Sequence, residues 1–343
     1  MNQIVQMYRG SSAQNDTYTG LAGELVIDTT KNSARVHDGE TKGGHELNNL
    51  ANHIEQVDTQ SSAISELENY RVKEYAHLIH NGIYRGENLL DKQHFASIDD
   101  IQAAVAKGDF TDIYVGDYIT DDVATDTLVS GSSTEYTTKK VKFYVAGINK
   151  GMRSYSFYTL DGTSTVVHNY LCLVSESLGS FVWNTTDTTD GGYAASSIFN
   201  NTLVAYLLSK LSTTYIYNYL LAPNEYYTTA NTFSSVIDGI TYNGDATDYA
   251  TAAYWYALLS EMELFGSQFY SASHFDYVNN TERLPIFRFI DPSLLIPSGE
   301  RMWLKDIHSE SQACCVYNNG TEFVPDYSAA GNSLNVCIRA FVG

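Results

Sequence analysis

Residues 303–343 read WLKDIHSESQACCVYNNGTEFVPDYSAAGNSLNVCIRAFVG, and the rest of the chain is organised around them. Trp303-Leu304 forms an apolar anchor. Two short apolar-rich segments follow, 313–317 and 336–342. Between them lie Tyr317, Asn318, Asn319, Gly320, Thr321, Glu322, Phe323, Asp326, Tyr327, Ser328 and Asn332. Gly320 and Gly331 mark turns. Pro325 has no N–H to give a ladder, which predicts that no central strand runs through the middle. Rigid rings offer area, and Ser, Asn and Gly offer adaptable hydrogen bonds, the chemistry of a contact surface. An ordinary exposed loop has the same composition.

At 343 residues the chain is long enough for two or three domains and a sizeable core. Only 17% of residues are charged, while Tyr occurs 27 times. Tyrosine suits β-surfaces and binding faces because it is large and amphipathic. The formal net charge of −20 argues against nucleic acid or an anionic membrane as partner, since both need Lys and Arg against phosphate. No charged-then-apolar leader opens the sequence, and no stretch approaches eighteen apolar residues. The expectation is synthesis in a host cytoplasm without a signal peptide, with no membrane insertion. Cys172, Cys314, Cys315 and Cys337 show neither C-x-x-C nor a Cys/His zinc spacing, so no metal and no cofactor is expected. Free buried thiols are the default. On a strand Cys314 and Cys315 point to opposite sides, which predicts that at most one faces a core.

Residues 2–46 form short β-patterned runs (Val5 and Met7; Leu25, Val26 and Ile27; Ala34 and Val36) separated by glycines. The block has too few apolar residues for a core of its own, so it must pack on something, most simply on copies of itself. Leu47, Leu50, Ile54, Val57, Ser61 and Ile64 then recur at 3-4-3-4-3, a heptad seam. The seam fits a three-chain coiled coil or a single amphipathic helix on a globular domain. After Leu67 the pattern drifts towards Gly82.

A new domain opens at 83. Ser97 with Asp100 predicts a helix start and Gly108 its end. Residues 112–119 and 140–147 read as strands around a polar excursion over 125–138. Residues 166–174 read as a central strand covered on both faces. A helix is expected from Ser196 through Leu203, Tyr206 and Leu211. Pro223 bars helix from 220–226, and 227–251 reads as a long polar loop. Residues 254–259 open a strand or helix that 260–266 closes.

Two resemblances sit on these residues. Trp303, Leu304, Lys305 and Asp306, with Val336, Arg339 and Gly343, resemble the ends of phage proteins with a C-type-lectin-like fold. Several of those are variable proteins of diversity-generating retroelements. Lys305 stands where they often carry arginine, whose planar fork lysine lacks. Residues 112–193, with the acid-threonine run ending in Gly191-Gly192-Tyr193, resemble the body of the same proteins. The second resemblance lies in Arg9-Gly10, Thr19-Gly20, Gly23-Glu24-Leu25, Asp28-Thr29 and Val36-His37-Asp38-Gly39. These are similar to the N-terminal domain family of major tropism determinants. That likeness implies a small β-prism at a trimer axis, attached to the virion. His37-Asp38 itself reads as a strand-end turn, with no third ligand or nucleophile spaced to join it.

The fold class expected is therefore α+β. A β-prism trimerisation module over 1–46 leads through a helical, coiled-coil-like connector over 47–82 to a C-type-lectin-like domain over 83–343. The function expected is that of a phage tail-fibre receptor-binding protein, a homotrimer in the virion at the tail or fibre tip. Its partners would be a host-cell surface protein or glycan and other virion structural proteins. A structural head-fibre decoration is the alternative, and a glycan-acting enzyme a third. No G-x-S-x-G, P-loop, H-E-x-x-H or dinucleotide fingerprint occurs, so no enzyme is expected. Glu261 with Glu263 would point alike only on a strand. The E-P-N or Q-P-D loop of calcium lectins is missing; Val324-Pro325-Asp326 lacks its polar first residue. The candidate contact residues are His308, Glu310, Gln312, Tyr317, Asn318, Thr321, Glu322, Phe323, Asp326, Tyr327, Asn332 and Leu334.

Overall fold

The computed structural model describes residues 7–47, 50–91, 93–125, 137–152, 156–200, 216–228, 234–237, 240–243, 249–271 and 282–343. It is a mixed α/β chain, mostly sheet, in two compact units, Met1–Arg71 and Val72–Gly343.

The first unit holds β1 (Tyr8–Gly10), α1 (Ser12–Asn15), β2 (Leu25–Asp28), β3 (Ser33–Val36) and β4 (His45–Leu47). The strands lie in the order β1-β2-β3-β4, with β1 parallel to β2 and the rest antiparallel. Val26 is its one fully buried large apolar side chain among the described residues. A polar knot takes the place of an apolar core. The Arg35 guanidinium lies 3.0 Å from Asp28 and 2.7 Å from Asp16. Asp28 also accepts from Ser12 Oγ and from the Thr30 and Lys31 amides at 2.9–3.1 Å. The helix α2 (Leu50–His80) begins in this unit. Leu47, placed on the helical seam by spacing, belongs instead to β4. Ile54, Val57, Ile64 and Leu67 stand exposed along α2.

The second unit adds α3 (Ile98–Ala106), α4 (Glu261–Phe265) and sixteen strands among the described residues. A large sheet runs in the order β5 (Tyr118–Thr125), β6 (Thr137–Ile148), β9 (Leu171–Ser175), β20 (Ile338–Val342), β11 (Leu220–Thr228), β7 (Ser156–Tyr158) and β8 (Ser164–Val166). β14 (Tyr249–Ala253) joins it on β11 and β15 (Tyr256–Leu258) on β20. A second sheet runs β10 (Ser180–Val182), β19 (Ser333–Asn335), β16 (Arg301–Ile307), β17 (Gln312–Asn318) and β18 (Phe323–Ala329). β12 (Ser234–Ile237) and β13 (Ile240–Asn243) form a separate hairpin.

Two apolar layers follow from the two-residue period of the strands. Leu171, Leu173, Trp303, Cys315 and Ile338 enter one; Cys172, Val174, Leu304, Cys314 and Phe341 enter the other. Both faces of the central strands are thus covered. This corrects the expectation for Cys314 and Cys315: both are fully buried, because each side of β17 is a core. All four cysteines are free and buried. The frame is pinned by two indoles. Trp303 Nε1 donates to Phe181 O at 2.8 Å, and Trp183 Nε1 donates to Leu304 O at 3.2 Å.

Several boundaries differ from the sequence expectation. The strand expected over 112–119 starts only at Tyr118, because Asp117 is spent on a turn. It accepts from Arg85 at 2.6 Å and from the Glu87 and Tyr114 amides. Residues 166–174 divide into the end of β8 and most of β9, with a bend between. Residues 256–258 form strand and 261–265 helix. The polar stretch 227–251 contains β12, β13 and the start of β14. Helical geometry begins at 197–200, and its expected continuation to 211 lies outside the described residues. So does most of the excursion at 125–138. The helix at Ser97 forms as expected: its hydroxyl accepts from the Asp100 amide, and Gly108 turns the chain at φ +70°.

Candidate functional site

The segment expected to be a loop is a β-hairpin. β18 pairs antiparallel with β17 along its whole length, Gln312 opposite Ala329 and Asn318 opposite Phe323. Pro325 sits within it. That is permitted because β18 is the edge of its sheet, where one side of the strand needs no ladder. Strand alternation then divides the candidate residues between two faces. Phe323 and Tyr327 point one way; Tyr317 and Asp326 point the other.

On the first face three rings meet. Tyr327 stacks on His308 with centroids 4.0 Å apart and planes 19° apart. Tyr270 stands edge-on to both, at 5.7 Å from His308 and 5.1 Å from Tyr327. His308 Nδ1 lies 2.9 Å from the Tyr270 carbonyl, which can only accept, so Nδ1 carries the proton. Tyr270 and Tyr327 are more than a third exposed. On the second face Arg301 Nε donates to Asp326 at 2.6 Å, and the guanidinium lies 5.7 Å over the Tyr317 ring.

A buried charge network joins β20, β11, β16 and α4. Arg339 donates to Glu263 at 2.5 Å and to Glu225, and Lys305 donates to Glu225 at 2.6 Å. Burial lowers the Arg339 pKa, and the two carboxylates more than restore it, so it stays above the usual arginine range. Burial raises the Glu225 carboxyl, and Arg339 and Lys305 bring it below the usual range. The two-pronged contact therefore belongs to Arg339, and Lys305 acts as a point charge. Glu263 also accepts from the Ser260 amide and hydroxyl, closing a capping box on α4. Glu261 diverges from it, as a helix requires. The Glu261 amide donates to Asp306 at 2.5 Å, and its carboxylate accepts from the Phe269, Tyr270 and Ser271 amides at 2.8–3.1 Å. Those three bonds set the backbone that carries the Tyr270 ring.

At the other end of the sequence, the glycines of the first unit have identifiable reasons. A Cβ on Gly20 would lie 2.8 Å from the His37 ring, and the Gly20 amide donates to His37 Nδ1 at 3.0 Å. A Cβ on Gly10 would lie 2.5 Å from Asn15 Oδ1, and Asn15 donates back to the Gly10 carbonyl. Asp38 closes a turn, accepting from the Glu40 and Thr41 amides and lying 3.0 Å from His45 Nε2. These contacts join the motifs quoted above into one tight scaffold.

Residues 5–41 match the Major tropism determinant N-terminal domain. The "Tail fiber receptor-binding protein" of Bordetella phage BPP-1 is 49% identical over 47 residues. That overlap is 14% of this chain and spans only 12% of the relative's length. Among solved structures, the Major Tropism Determinant U1 variant aligns over 98% of this chain and 99% of its own. Identity there is 15% and the TM-score 0.14. The M1 variant gives 14% and 0.17 over the same shares. Agreement at that level carries no argument about architecture.

Outside the matched residues 5–41, the expected contact residues separate by surroundings. Thr321 and Glu322 are exposed on a turn that Asn319 organises by accepting both their amides at 2.9 Å. Glu310 and Asn332 are exposed, and Gln312 is half-buried beside Ser309. Asn318 is the correction. It is fully buried, donating to Ile296 O and accepting from Gly320 N, so it builds the turn and cannot touch a ligand. Leu334 is half-buried against the core opposite Phe181. Sequence reasoning missed Tyr270 and Arg301. Tyr270 lies 38 residues from His308, and no spacing signals that contact. Among the described residues no group of three or more His, Cys, Asp or Glu is placed to hold a metal ion. No helix among them is long and apolar enough to cross a membrane.

Proposed function

We propose that this chain is a phage tail-fibre receptor-binding protein that attaches the virion to a protein or glycan of the host surface. The observation that carries the proposal is the Tyr270–His308–Tyr327 ring cluster at the edge of a hairpin, in a frame locked by buried tryptophans and ion pairs. Rigid rings offer contact area at little entropy cost. The match over residues 5–41 and the name of the phage relative support it. In this reading residues 1–46 form a β-prism that joins other virion proteins and a threefold axis. Residues 47–82 connect, and residues 83–343 form a C-type-lectin-like domain. Threefold display multiplies weak contacts through effective concentration. An edge strand also tolerates side-chain change, the property a retroelement-diversified segment needs.

The reading assigns no catalysis. Glu261 and Glu263 are committed to hydrogen bonds, and burial raises the Cys172, Cys315 and Cys337 thiols, away from a reactive thiolate. The test is a His308→Ala/Tyr327→Ala pair in assembled particles. Adsorption is expected to fall at least about tenfold, as for loss of aromatic anchors. Undiminished adsorption by particles carrying the folded variant overturns the proposal. Immunolabelling is expected to place the protein at the tail tip; capsid labelling would point to a decoration. A near-copy of the final coding segment beside a reverse transcriptase is the expected mark of diversification in the neighbouring DNA.

A further inference from the structure

Beside the hairpin lies a hollow of about 530 Å³, within the usual range of small-ligand sites. Phe269, Phe289 and Phe323 line it, with Arg283, Arg288 and Glu322. Phe269 and Phe289 are 57% and 45% exposed, unusual for phenylalanine in a water-facing position. Phe265 and Phe287 also line it and pack against two of these rings. Phe269 meets Phe265 edge-on at 5.3 Å, and Phe323 meets Phe287 at 6.2 Å.

The two arginines are the second observation. In a chain of net charge −20, neither guanidinium has a carboxylate partner among the described residues. Arg283 donates to the Phe287 carbonyl. Burial and the nearby Arg288 charge hold Arg283 below the usual arginine range. Two like charges lining one hollow repel each other, and an anion between them relieves that repulsion. Glu322, which also lines the hollow, limits which anion fits. It repels a compact dianion and accepts hydrogen bonds from hydroxyls. Flat apolar rings, two fork donors and one acceptor together describe a hydroxylated ring bearing a single carboxylate.

We propose that this hollow binds a carboxylate-bearing sugar residue, the ring against the phenylalanines and the carboxylate at Arg283 and Arg288. The proposal rests on the receptor-binding reading and names the ligand class of that face. The test is calorimetric titration of the intact chain with methyl glucuronide, methyl galacturonide and a methyl sialoside. Their neutral counterparts, inorganic phosphate and a glutamate-rich peptide form the comparison arms. At least one acidic sugar is expected to bind about tenfold more tightly than its neutral counterpart and than phosphate or peptide. Arg288→Gln, at an exposed position, is expected to weaken that binding about tenfold with near-ultraviolet dichroism unchanged. The idea is overturned if no acidic sugar binds, if neutral sugar, phosphate or peptide binds as well, or if Arg288→Gln binds undiminished. If these titrations fail while His308→Ala/Tyr327→Ala abolishes adsorption, only the ligand assignment falls. If the sugar binds and adsorption is untouched, the receptor reading falls instead.

Discussion

Arg339 and its neighbours show what a buried charge demands of the residues around it. Its guanidinium is 1% exposed and bridges two carboxylates, Glu225 and Glu263. Removing one partner leaves the others charged and unneutralised. Glu225→Ala is therefore expected to cost about 3–5 kcal/mol in denaturant unfolding. A loss below about 1 kcal/mol would mean that water reaches the site. Asp28 offers a pH signature. Burial pushes its carboxyl up, but the Lys31 amide, Ser12, the Thr30 amide and Arg35 together outweigh burial and hold it at about 2, against 3.8 when unperturbed. A depressed carboxyl stabilises the folded form above its unfolded value. That contribution is expected to be complete above about pH 4 and to vanish as pH falls through about 2. Hydrogen exchange at the Thr30 and Lys31 amides should accelerate in that window, and Asp28→Asn should remove the dependence. Exchange that is flat from pH 5 to 2 would contradict it. None of this was legible from spacing, since Arg339 and Glu225 are 114 residues apart.

Among the elements, α4 depends on its cap as much as on its five residues. Ser260 accepts from the Glu263 amide while Glu263 accepts from the Ser260 amide. Ser260→Ala is expected to cost about 1 kcal/mol, read as a shift in the urea midpoint at constant slope. Because Glu263 also holds Arg339, the same change should couple with Glu225→Ala in a double-mutant cycle. Strict additivity would show the cap and the ion pairs to be independent. The cap at Ser97 was visible in the sequence because a cap is a local event over four residues. The strand β18 was not. Pro325 excludes a central strand, yet centre and edge differ only in what lies beside the strand, which is a tertiary fact. Cys314 and Cys315 repeat the lesson: alternation is local, but whether both sides of a sheet are covered is not.

For the molecule as a whole, the open question of the sequence was what covers its unpartnered apolar residues. The first unit has a polar knot in place of a core, and Ile54, Val57, Ile64 and Leu67 stand exposed on α2. Burial of such a seam by two further copies would stabilise both, consistent with the homotrimer proposed above. Ile64→Asp is expected to shift sedimentation from trimer towards monomer, with the far-ultraviolet spectrum of the sheets unchanged. An unmodified chain that sediments as a monomer at micromolar concentration would end that part of the proposal.

The sequence by itself determined what is local or carried by composition: the tropism-determinant motifs over residues 5–41, the cap at Ser97, the buried thiols and the anchoring of Trp303 and Leu304. These depend on neighbours within a few residues or on transfer of apolar surface from water. Only the tertiary structure decided that the display segment is an edge hairpin, that Tyr270 joins His308 and Tyr327, and that Arg283 and Arg288 share a hollow with Phe269 and Phe323. Those contacts join residues that are distant along the chain. A one-dimensional pattern records which side chains want burial or a partner, and the fold alone sets which of them meet.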